Sequence, residues 1–127
     1  MIRALRYFGW FTGLLLIALG LSRIAFSLDS IPGGQDVNAT VDSETRAAGA
    51  LLIGFGLGYL EAFRRTPIPT GVVRLLAGTM ALLGLSRLIS MTNAGMPHPA
   101  FTAACVVEFV AAALTYWYAT LADRPTR

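Results

Sequence analysis

The chain has no lysine, one histidine and one cysteine among its 127 residues. A lone cysteine, Cys105, excludes an internal disulfide and a paired-cysteine redox centre. Cys105 and His98 together do not make a metal site of recognisable type. No glycine-rich phosphate loop follows a strand, and no nucleophile elbow is present. Ser86, His98 and Glu108 have no spacing that suggests a catalytic group. Cofactor, metal and enzyme readings therefore have no motif behind them, and a non-catalytic protein is expected.

Charge is also scarce. Only 13% of the residues are charged, against about 25% in an ordinary soluble domain. The net charge is +3 and the pI about 9.6. A basic balance can mean nucleic acid, but not here. All ten basic residues are arginines, and most flank apolar blocks. That distribution is a membrane-topology signal rather than a phosphate-binding patch.

What the chain does have is apolar sequence, with 55% hydrophobic residues and a mean hydropathy of +0.63. It falls into four blocks, at about 7–28, 47–63, 72–89 and 100–122. Each is near the ~20 residues that cross ~30 Å of hydrocarbon. The second block is the shortest. A single domain, residues 1–127, is expected. Retention of the first block as a helix is favoured over a cleaved signal peptide. Its apolar run exceeds a usual signal core, and its closing string recurs in the third block.

That string is Leu19-Gly20-Leu21-Ser22-Arg23, and it returns as Leu83-Gly84-Leu85-Ser86-Arg87. The repeat predicts an all-α bundle of four transmembrane helices, built from two duplicated helical hairpins. Orientation follows from the arginines. Arg3, Arg6, Arg64, Arg65, Arg74, Arg124 and Arg127 share one side of a four-span protein. The Asp29–Glu44 connection holds four acids and no base. The positive-inside rule puts both termini in the cytoplasm. A multi-pass protein of a bacterial plasma membrane is expected, and the arginine-only basic content fits a GC-rich genome.

The turns are marked by Ile31-Pro32-Gly33-Gly34, by Pro67 and Pro69, and by Asn93 to Pro99. Asn38-Ala39-Thr40 matches a glycosylation sequon, a match without meaning in a bacterial protein. Tyr7, Phe8, Trp10 and Phe11, with Tyr116, Trp117 and Tyr118, read as an interfacial aromatic belt.

Two groups of residues stand out as candidate sites. Arg23 and Arg87 lie ~24 and ~22 Å along their blocks, and Glu108 lies ~13 Å below the start of the fourth. Glu108 should pair with Arg87, Arg23 or both, because a lone intramembrane carboxylate is costly. Glu44 and Arg46 are candidates to extend this polar cluster. Two roles stay open for it: fixing helix register, or binding a ligand or proton. The second group is the small residues. Gly49, Gly54, Gly56 and Gly58 crowd the second block, where close helix approach depends on small side chains. They read as a packing face or a partner face.

The runs Arg46 to Leu52, Arg74 with Gly78, Leu83 to Ser90, Gly95-Met96-Pro97-His98-Pro99 and Val107-Glu108-Phe109 resemble a small bacterial four-helix integral membrane family, catalogued as domain of unknown function 4345. The resemblance covers most of the chain apart from the Asp29–Glu44 connection. It implies a four-span fold and brings no activity with it. The function expected is an accessory or stabilising subunit of a larger membrane complex, with a lipid-importing transporter as one candidate. The alternative is a small transporter or channel using the intramembrane Arg–Glu cluster. Membrane lipids and a larger integral membrane protein are the expected partners, and nucleic acid is not.

Overall fold

A computed structural model describes residues 1–33 and 38–122. It contains four long helices: α1 Ile2–Phe26, α2 Ala39–Arg64, α3 Thr70–Ala94 and α4 Pro99–Leu121. A 3₁₀ turn, Ser27–Ser30, follows α1. Among the described residues there is no strand. All four helices are long and apolar enough to cross a membrane.

The helix ends follow local chemistry. Asn38 caps α2, its side chain accepting from the Val41 N–H at 3.1 Å. His98 caps α4 through Nδ1, which accepts from the Ala100 N–H at 3.2 Å, and Pro99 fills the first helical position. Gly95 ends α3 at φ 87°, a conformation glycine adopts without steric cost. Residues 65–69, with prolines 67 and 69, break the chain between α2 and α3.

Three boundaries differ from the sequence expectation. The largest difference is at α2, which starts at residue 39 instead of 47 and is the longest of the four at 26 residues, not the shortest. Hydropathy misses its first two turns because they are polar. The Asn38 cap and Asp42 in the first turn stabilise them at a helix N-terminus. α1 starts at residue 2, and α3 runs on to residue 94, again through less apolar sequence. Asp36, Arg124 and Arg127, used above for orientation, lie outside the described residues.

The bundle is two antiparallel hairpins. α1 packs along α2, and α3 along α4, with fewer contacts between the pairs. The start of α1, the α2–α3 turn and the end of α4 share one end of the bundle. Arg6 joins them: Nε donates to the Tyr118 hydroxyl at 3.2 Å, and Nη2 to Thr66 Oγ1 at 2.8 Å. We call this the near end. The far end carries residues 27–33, Asn38 and residues 95–98, and there Gly33 lies against His98.

The core sits toward the near end. Tyr59, Phe63, Val73, Thr115 and Tyr118 are fully buried there. Tyr59 and Phe63 stack at 5.5 Å, and Phe63 and Tyr118 at 4.3 Å. Tyr59 and Thr115 share a 2.8 Å hydrogen bond that ties α2 to α4. Tyr118 is therefore a core residue and not part of an interfacial belt. Its neighbours Tyr116 and Trp117 face outward, as do Tyr7, Trp10 and Phe11. A Tyr-Trp-Tyr run places one ring inside and two outside because successive helical positions are ~100° apart.

Candidate functional site

The far half of the bundle holds the unusual polar groups. Arg87 on α3 meets Glu108 on α4. Its Nε lies 2.9 and 2.8 Å from the two carboxylate oxygens, and Nη2 lies 2.8 Å from Oε1. Only 12% of the Glu108 side chain is exposed. The depth of the two residues explains the match: α3 runs up to the far end and α4 runs down from it. Phe101, two turns above Glu108, puts its ring 5.5 Å from the Arg87 guanidinium, inside cation–π range. Every buried side-chain polar atom among the described residues has a partner.

Arg23 of α1 approaches the same cluster without joining it. It is half-buried, with its Cβ against Gly49 of α2. Among the described residues it forms no side-chain hydrogen bond or ion pair. Glu108 has both oxygens on Arg87, which leaves the second arginine without a carboxylate of its own.

Arg46 and Glu44 do not extend this cluster, and the expectation is corrected. Arg46 bonds Asp42 at 3.0 Å and donates to the Ile24 carbonyl oxygen at the end of α1. Asp42 also accepts from the Ser27 hydroxyl. Arg46 thereby satisfies one of the C-terminal carbonyl groups that a helix end leaves without partners. Arg46 has a nearer acid one turn back on its own helix, so it has no need to reach Glu108. Glu44 is exposed and unpaired among the described residues.

A groove of about 370 Å³ opens beside Arg87. Leu83, Ser86, Arg87, Ser90, Pro97 and Phe101 line it. Its lining comes from α3, α4 and the turn between them. Ser86 donates to the Leu82 carbonyl at 2.8 Å, and His98 is committed to its cap. Neither stands with Glu108 as a catalytic group. Cys105 is buried with its Sγ 3.5 Å from the Gly84 carbonyl. Among the described residues no group of three or more His, Cys, Asp and Glu is placed to hold a metal ion.

The glycines of α2 separate into inner and outer ones. Gly49 and Gly56 are buried against α1, where Gly20 and Gly13 oppose them. A Cβ on Gly49 would come 2.7 Å from the Gly20 carbonyl oxygen, and one on Gly56 2.5 Å from that of Gly13. Gly58 faces α3, 3.3 Å from Leu76 by the same measure. Gly54 alone of the four meets nothing within 4 Å. A single partner face through all four is excluded, because they lie on different sides of the helix. Gly78 on α3 is equally open.

Arg6 is the functional-looking residue that sequence reasoning missed. Near a chain start it reads only as a topology charge, whereas it clamps three segments.

The family described as Domain of unknown function (DUF4345) matches residues 4–119 of this chain. The match takes in all four helices, and the chain belongs to this family. Neither a curated protein nor a solved structure matches it.

Proposed function

We propose that this family member is a non-catalytic accessory subunit that stabilises a larger integral membrane complex. The observation that carries the reading is the distribution of packed surface. The interior at the near end is filled by Tyr59, Phe63 and Tyr118, while Gly54 and Gly78 leave helix backbone uncovered on the outside. A filled interior suits a scaffold. Open glycines on a membrane helix suit close approach by another helix. Gly54 is flanked by the exposed Leu51 and Leu57, an apolar setting for such a contact.

In this reading the protein sits in a bacterial plasma membrane with both termini in the cytoplasm. Arg3, Arg6, Arg64, Arg65 and Arg74 are at the near end, and Asp29, Asp42 and Glu44 at the far end, which supports that orientation. Reporter fusions after Leu121 and within residues 30–38 test it. A lipid-importing transporter is one complex such a subunit would serve.

The test of the subunit role is purification from native membranes in mild detergent, with mass spectrometry of the chains that come along. A large membrane protein in stoichiometric amount supports it. A homo-oligomer alone moves the reading to a small transporter or channel, which the charged cluster at Arg23, Arg87 and Glu108 favours.

A further inference from the structure

The near end has more cations than acids to pair them. Glu61 is its one carboxylate among the described residues, and two arginines already share it. Arg64 Nε lies 2.5 Å from Oε2, and Arg65 Nη2 lies 2.7 Å from Oε1. Arg6 reaches only uncharged acceptors: the Tyr118 hydroxyl, Thr66 Oγ1 and the Arg65 carbonyl. Those bonds use Nε and Nη2 and leave Nη1 over. Arg3 is exposed and forms no hydrogen bond or ion pair among the described residues. Arg3 and Arg6 are three residues apart, neighbours on the helix surface, and like charges at that spacing repel. An anion held by both would relieve the repulsion.

The surface of α1 beside these charges indicates what carries the anion. Arg3, Tyr7, Trp10 and Leu14 follow at steps of three and four residues, so they line one face of the helix. All four are exposed. The Tyr7 and Trp10 rings meet edge to face at 5.6 Å. Neither the Tyr7 hydroxyl nor the Trp10 N–H has a hydrogen-bond partner among the described residues. From Arg3 to Leu14 the stripe is ~16 Å long at 1.5 Å per residue. It passes from a cation, through two rings with polar tips, to an aliphatic side chain. A phospholipid has the matching order: phosphate, ester linkages, acyl chain. A free phosphate would use only the first of these.

We infer that this stripe of α1 binds an anionic phospholipid of the leaflet at the near end. Arg3 and the free Nη1 of Arg6 hold the phosphate. Tyr7 and Trp10 donate to oxygens of the head group and ester region, and an acyl chain lies along Leu14. The inference is independent of the accessory role, and of which compartment the near end faces.

The test is native mass spectrometry of the full chain with phosphatidylglycerol and phosphatidylcholine supplied in equal amounts. The wild type should retain phosphatidylglycerol over phosphatidylcholine. Arg3→Gln should lower that preference roughly fivefold, the ratio for ~1 kcal/mol per arginine at an anionic surface. It breaks no side-chain bond among the described residues, so it should fold, and circular dichroism checks that it does. Arg64→Gln removes the same charge at the same end but off the stripe, and leaves Glu61 paired with Arg65. Its preference should match wild type. Equal retention of the two lipids overturns the inference and leaves an acidic protein segment as the partner for these charges. An unchanged preference in Arg3→Gln, or the same loss in Arg64→Gln, also overturns it. So does loss of the bound lipid to millimolar inorganic phosphate at constant ionic strength, which would make the ligand a soluble anion.

Discussion

The two hairpins carry the same five-residue string and use it differently. In α1, Gly20 lets the α2 backbone in at Gly49, and Gly13 does the same at Gly56 one level away. In α3, Gly84 receives the Phe109 ring, and its carbonyl faces Cys105. The arginine that ends each string also differs. Arg23 has no ion-pair partner among the described residues, while Arg87 is held by Glu108. The opposing helix decides. α2 offers glycines at this level, so α1–α2 closes by backbone contact and leaves no carboxylate for Arg23. α4 offers Cys105, Glu108 and Phe109, so α3–α4 closes through side chains. An identical string thus specifies the start of a contact but not its kind.

The largest effect should come from breaking the side-chain hairpin. Glu108→Ala leaves Arg87 charged and unpaired, and should destabilise the protein by about 3–5 kcal/mol. Denaturant titration in detergent micelles would measure it. The double change Glu108→Ala with Arg87→Ala should cost clearly less. Equal costs would mean the pair contributes only its packing.

Breaking the backbone hairpin comes next. Gly56→Leu puts a side chain into the Gly13 carbonyl and should cost about 3 kcal/mol, at the upper end for overpacking. A small buried residue of the other hairpin is Ala112. It already carries a Cβ, so Ala112→Gly should move stability by no more than ~1 kcal/mol. A reversed ranking would mean that α3–α4, not α1–α2, is the tighter seam.

A smaller effect belongs to the link between hairpins. Tyr59→Phe removes the bond to Thr115 and should cost ~1 kcal/mol. The Thr115 hydroxyl keeps its bond to the Ala111 carbonyl, so no donor is orphaned. A loss above about 3 kcal/mol would show that the two hairpins do not hold together without it.

Much of this architecture is legible in the residues. Four apolar runs give four helices because length and hydropathy decide what crosses a membrane. Depth narrows the partner of Glu108 to Arg87, Arg23 or both, since antiparallel helices bring equal depths together, and the structure selects Arg87. The environments of individual side chains are less legible. The polar start of α2 is hidden because hydropathy does not register a capped helix outside the apolar layer. Tyr118 and Arg6 look like interfacial residues in sequence, and their burial and clamping depend on which way each helix is rotated. The same rotation separates Gly54 from Gly56, two residues apart and on different faces.

That separation carries the functional account, because one glycine builds the fold and the other is left for a partner. The most direct measurement compares Gly54→Leu with wild type in the co-purification from native membranes. Gly54 meets nothing within 4 Å, so the variant should insert and fold within ~0.5 kcal/mol of wild type. The account predicts that it comes out of the membrane without the large partner chain. A folded Gly54→Leu protein that still carries the partner in normal amount would contradict it.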